Sequence, residues 1–154
     1  MNSIYKIKFE ESSSFLRNYY DTKLSNGDKR KIERLEALSY FDYEENGKYI
    51  CILIASIYDI KEYLSIMSKN SIKFRYSDMS DDILKRRIDI INELRDKVNE
   101  SSSVTFSFFT EDLESWIFDN LNIDIVLDKI SEVGIENLSD IENKFLKKLN
   151  NEKK

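Results

Sequence analysis

The chain of 154 residues has no histidine, no proline, three glycines and a single cysteine. Without histidine, Ser-His-Asp and Cys-His nucleophile pairs, imidazole bases and histidine zinc ligands are all excluded. Cys51 alone forms no intrachain disulfide framework and no four-cysteine metal site, and it suits a reducing cytosol. Three glycines leave no GxxxxGK and no GxGxxG, so glycine-rich phosphate loops are absent too. Long apolar runs are also missing. The longest uncharged apolar stretch, Tyr49 to Tyr58, falls well short of the about 20 residues that cross a bilayer. Glu10 and Glu11 interrupt the start before any apolar leader develops. A cytoplasmic protein with no membrane span is the expectation.

What is present is enough for a packed domain. Hydrophobic residues make up 41% of the chain, which argues against general disorder, and charged residues 34%, which predicts densely charged exteriors. The net charge of −5 disfavours wholesale nucleic-acid binding but leaves room for a local basic face. Nine tyrosines and nine phenylalanines suit strands and half-buried surfaces. Abundant Ile, Lys and Asn beside scarce Ala and Gly point to an AT-rich bacterial or phage genome.

Tyr49 to Ala55 is apolar on both alternating faces and predicts a central strand buried on both sides. Asn46-Gly47, between it and Tyr40 to Glu44, is a hairpin signal because both residues tolerate positive φ. Ile4 to Phe9 alternates Tyr5, Ile7, Phe9 against Lys6, Lys8 and reads as a strand with one solvated face. Ser12 to Ser14 cap a helix through Leu24, and Asp28 caps an added helix carrying Ile32, Leu35 and Leu38. Ile60 to Lys69 reads as a helix, Ile72 to Tyr76 as the returning strand, and Ser80 to Val98 as one amphipathic helix. Val104 to Phe108 alternates and reads as a fifth strand, followed by a helix capped at Thr110.

The end of the chain reads as a helical hairpin, with Gly134 as a cap closed by Ile135, and with Ser139 and Glu142 forming a capping box. Leu127 to Leu149, with its Asp-Lys-Ile-Ser-Glu-x-Gly-Ile-x-x-Leu-Ser pattern, resembles the short cytosolic hairpin that ends some bacterial rhomboid-type membrane proteins. The resemblance covers those residues alone. It implies a small shared hairpin and brings no catalytic residue or transmembrane helix.

The order β-α-β-β-α-β predicts an α+β, ferredoxin-like antiparallel sheet over residues 1–110, with a helical extension over 111–154 packed on it or on a partner. In that order the first and returning strands are neighbours, and Lys6, Lys8, Lys73 and Arg75 share a face away from the helices. That patch suits RNA, single-stranded DNA or an acidic protein, while alternating cations also simply solvate a sheet face. The RNA-recognition pattern of basic, glycine and aromatic residues is absent.

Lys29, Arg30 and Lys31 cluster at a helix start, where the dipole disfavours cations and an anion offers compensation. Asp78, Asp81, Asp82 and Glu111, Asp112, Glu114 read as helix-start acids, with magnesium binding as the other possibility. Trp116 and Phe109 are core residues, or partner anchors where exposed. The composite expectation is a non-enzymatic protein-binding or assembly module, acting with another chain or as a homo-oligomer, without metal or cofactor. A nucleic-acid-binding domain is the alternative, and a carboxylate-dependent enzyme the third reading.

Overall fold

A computed structural model describes residues 1–36, 39–86 and 88–152. It is α+β, and the chain divides into two compact units, Met1–Ser80 and Asp81–Lys154. Among the described residues no helix is long and apolar enough to cross a membrane.

The first unit runs β1 (Asn2–Phe9), α1 (Ser13–Thr22), α2 (Asn26–Glu36), β2 (Tyr40–Glu45), β3 (Lys48–Ser56), α3 (Ile57–Lys69) and β4 (Phe74–Asp78). The strands form one sheet in the order β2-β3-β1-β4, antiparallel throughout. Asn46 and Gly47 take φ of 54° and 75°, and the Glu45–Lys48 pair closes the tight hairpin that their sequence announces. Tyr5, Ile7 and Phe9 of β1 join Ala55 of β3, Leu24, Ile32 of α2, and Ile60, Leu64 and Met67 of α3 in one buried cluster.

β3 is buried on both sides, as its uninterrupted apolar run requires. Ile50, Ile52 and Ile54 alternate away from that cluster yet are themselves buried, beside Ile4 and Phe41 on the neighbouring strands. Each such side chain removed from water contributes about 1.5–3 kcal/mol.

Helix ends follow local chemistry. Ser12 accepts the Phe15 N–H at 3.2 Å, and Ser56 accepts the Asp59 N–H at 3.2 Å. α2 starts at Asn26, with Ser25 rather than Asp28 as the capping side chain: Ser25 Oγ accepts the Asp28 N–H at 3.2 Å. Asp28 is instead a buried first-turn acid paired with Lys69 at 2.8 Å. Leu38, read as part of this helix, lies outside the described residues. The returning strand begins at Phe74 rather than Ile72, because the Ile72 N–H bonds the Met67 carbonyl at 2.9 Å and closes the end of α3.

The second unit holds α4 (Ser80–Leu84, beginning at the junction), α5 (Ile90–Arg95), α6 (Ser103–Asn120), α7 (Ile123–Val133), a 3-10 turn (Ile135–Asn137) and α8 (Asp140–Glu152). Three sequence expectations are corrected here. The single helix from Ser80 to Val98 is broken into α4 and α5: Arg86 adopts a left-handed φ of 56°, and Asp89 starts α5 by accepting the Asn92 N–H at 3.2 Å. The fifth strand at Val104 to Phe108 is the first part of α6, and Thr110 lies inside that helix rather than capping it. Phe109, Leu113 and Trp116 are buried at spacings of four and three, whereas Val104 and Phe108 stay exposed. The longer period of 3.6 overrides five residues of alternation. Finally, Ile135 does not close the turn after Gly134; it is exposed, and Leu138 is the buried residue there.

The boundary expected after residue 110 rested on that fifth strand, so the segment from Asp81 onward falls in the helical unit. The capping box forms as expected: Ser139 Oγ accepts the Glu142 N–H at 3.3 Å, and Glu142 Oε1 accepts the Ser139 N–H at 2.9 Å.

Candidate functional site

The β1–β4 register sets Lys8 directly opposite Arg75 and Lys6 opposite Ser77. Lys6 and Lys8 pair with Ile52 and Ile50 on their other side, so these cations lie on the sheet face away from α1–α3. Lys73, two residues before Arg75, accepts the Glu10 N–H on its carbonyl at 3.1 Å. Lys8, Lys73 and Arg75 are exposed and Lys6 is half-buried.

A fifth cation joins them. Lys48 shares the parity of Ile50 on β3 and binds Glu10 at 2.9 Å. The hydrogen bond and charge of Lys48, followed by the charges of Arg75 and Lys8, hold the Glu10 carboxyl below its usual range. This ion pair was not read from the sequence, although strand parity places Lys48 on that face. Glu10 thus meets Lys48 directly and feels the charges of Arg75 and Lys8, and Glu45 stands opposite Lys48 across the β2–β3 ladder. Like charges directly opposite across a ladder are destabilising, and Glu10 offsets the Lys8–Arg75 repulsion only in part because its direct partner is Lys48.

β4 also ends the sheet. The Glu10–Lys73 and Met79–Ile4 backbone bonds bracket its pairing to β1. Their register turns the backbone groups of Lys73, Arg75 and Ser77 toward β1, and those of Phe74, Tyr76 and Asp78 toward the open side. Arg75 through Asp78 are all exposed. On the face opposite the cations, the Phe74 and Tyr76 rings lie 6.4 Å apart.

The other sequence candidates do not assemble. Lys29 donates to the Asp21 carbonyl at 3.2 Å and lies over the Tyr20 ring, while Arg30 and Lys31 are exposed on α2. Phe109 and Trp116 are 2% and 8% exposed, so they are interior residues and not surface anchors. Asp78 accepts the Ser80 N–H at 2.9 Å, a local capping contact. Glu111, Asp112 and Glu114 lie within α6, not at its start. Among the described residues no three acidic or cysteine side chains converge in a way that could hold a metal ion.

A second feature of the first unit was not legible in the sequence. A cavity of about 110 Å³ is lined by Tyr40, Tyr49, Cys51, Asp59 and Tyr63 with aliphatic neighbours. A wider cleft of about 380 Å³ shares Tyr40, Tyr49 and Tyr63 and adds Tyr19, Tyr20 and Asp42. Tyr49 donates its hydroxyl to Asp42 at 2.7 Å. Phe9 holds the walls: its ring lies 5.6 Å from Tyr49 and meets Tyr63 edge-on at 6.3 Å. Burial first, then the charges of neighbouring groups including Asp42, pushes the Tyr49 phenol far up. The Cys51 thiol is likewise pushed up, by burial and then by Asp42. Both stay protonated at neutral pH, so Cys51 is not a ready nucleophile. These residues come from different elements and carry no shared motif.

No family model matches the chain, and neither a curated protein nor a solved structure is significantly similar to it.

Proposed function

We propose that this protein is a non-enzymatic binding module that adds an acidic, extended segment of another protein along the open edge of β4. The observation that carries this reading is the Lys8–Arg75 pair beside a strand edge that, among the described residues, pairs with no further strand. An added strand would bond the outward backbone groups of Phe74, Tyr76 and Asp78. Alternate side chains of that strand would fall on the cationic face, where acidic residues relieve the repulsion, and between them on the Phe74–Tyr76 side, where apolar residues fit. A second copy of the chain is a poorer occupant, because β4 paired with β4 would bring two cationic faces together.

The strand order β2-β3-β1-β4, with α1 to α3 contributing to one core cluster, supports reading the first unit as ferredoxin-like. A cytoplasmic, bacterial or phage assembly component fits the composition. The likeness of Leu127 to Leu149 to the rhomboid-type hairpin is taken as structural and brings no activity.

RNA or single-stranded DNA on Lys6, Lys8, Lys73 and Arg75 is the second reading, favoured by the charge alone. Stacking is missing from it: on that face Phe41 is buried and Tyr43 is half-buried. Calorimetric titration with an alternating Val-Glu decapeptide, its Val-Lys counterpart and oligothymidylate separates the readings. The acidic peptide is expected to bind and the other two not, with binding at least about tenfold weaker in Arg75→Glu. Binding of oligothymidylate with a steep salt dependence would favour nucleic acid instead, and indifference to all three probes would sink both.

A further inference from the structure

We propose that the tyrosine-lined cavity of the first unit is a binding site for a small organic cation, an amine or quaternary ammonium group seated against the Tyr49 and Tyr63 rings. Charge and wall chemistry agree on this occupant. Among the described residues, the inner compartment of about 110 Å³ has Asp59 as its one carboxylate and neither Lys nor Arg in its lining. The described lining of the outer cleft adds Asp21 and Asp42 against Arg17, and Lys23 and Lys29 lie over its Tyr19 and Tyr20 rings, away from the Tyr49 and Tyr63 rings of the proposed seat. A molecule of net charge −5 gains little from steering anions here, whereas its main cationic surface lies on the opposite sheet face.

Aromatic faces attract cations within about 6 Å of the ring, most strongly where water is excluded. The rings here are already fixed. Tyr49 is tied to Asp42 through its hydroxyl and packed on Phe9, and Tyr63 stands edge-on to the same Phe9, which is fully buried. Pre-set walls reduce the ordering that a ligand must impose. Because Tyr49 and Cys51 remain neutral, the negative charge facing the ligand comes from carboxylates alone. The inner compartment has the scale of a headgroup of a few heavy atoms, and the outer cleft has room for the rest of a small ligand.

Choline and its neutral isostere 3,3-dimethylbutan-1-ol test the proposal directly on the unaltered protein. Amide and side-chain resonances of Tyr49, Cys51 and Tyr63 are followed by NMR during each titration. Choline is expected to shift these signals, and the isostere to bind at least about tenfold more weakly, as the cationic contribution requires. Asp59→Asn, which leaves the Ser56 cap of α3 in place, is expected to weaken choline several-fold and to leave the isostere unchanged. Equal binding of the two compounds would make the cavity merely apolar and would overturn the proposal. So would an absence of shifts with choline at saturating concentration, or shifts confined to residues outside the cavity.

Discussion

Lys8 stands directly across the β1–β4 ladder from Arg75, with both positive side chains on the same face of the sheet. Replacing Arg75→Glu sets a carboxylate opposite Lys8 and turns a repulsive cross-strand pair into an attractive one. Urea denaturation is expected to find this variant more stable by about 0.2–1 kcal/mol, with the gain shrinking as salt is added. A residue kept for the fold alone should lose stability when its charge is reversed.

Asp28 ties the first turn of α2 to the last turn of α3 through Lys69. The Lys69 hydrogen bond holds its carboxyl below the ordinary value of 3.8. Because the folded-state pKa is the lower one, the stabilisation is complete above the ordinary value and is lost as pH falls through the folded-state value. Asp28→Asn is therefore expected to be less stable than the parent at neutral pH and to lose less stability on acidification. Urea melts over a pH series from neutral to about 3 check both the offset and the slope.

In the helical unit Glu142 is buried and serves two partners, the Ser139 N–H at 2.9 Å and the Arg86 guanidinium at 3.1 Å. Glu142→Ala leaves a cap donor and a cation without their acceptor and is expected to destabilise the protein by about 1–3 kcal/mol. Glu142→Gln keeps the capping geometry and loses only the charge, so its cost should be smaller. Thermal melts of the two variants side by side measure the difference.

Gly134 takes φ of 87° and ψ of 154° at the end of α7, a region that side chains with a Cβ avoid. An added Cβ would also meet Glu136 Oε1 at 2.8 Å. Gly134→Ala is expected to cost about 1–3 kcal/mol in chemical denaturation, whereas Gly27→Ala, with open space around its site, should be far milder.

Features set by neighbours in sequence were legible in it. The Asn46-Gly47 hairpin, the Ser12 cap and the Ser139–Glu142 box each rest on a few adjacent residues, and each is present. The two-sided burial of β3 follows from the same kind of reading, because a strand apolar at every position has no face for water. What was not legible depends on competition between distant parts. Leu84, Ile88, Ile91 and Leu94 keep the spacing of one helix, yet the left-handed Arg86 and the Asp89 cap divide it. Val104 to Phe108 alternates like a strand but is carried into α6 by Phe109, Leu113 and Trp116 further along. The cationic face was legible in part: parity and the expected strand order placed Lys6, Lys8, Lys73 and Arg75 together, whereas the direct Lys8–Arg75 pairing and the Lys48–Glu10 ion pair were not read. The tyrosine cavity was not read from the sequence: Tyr49 and Asp42 meet across the β2–β3 ladder, and Tyr63 joins them from α3 only in the folded chain.

Amide hydrogen exchange at Phe74, Tyr76 and Asp78 tests the β4 edge most directly, because these are the residues whose backbone groups face outward. With the alternating Val-Glu decapeptide added, the three amides are expected to become protected while those of Arg75 and Ser77, already turned toward β1, change little. Unchanged exchange at all three, or equal protection by the Val-Lys peptide, would contradict the account.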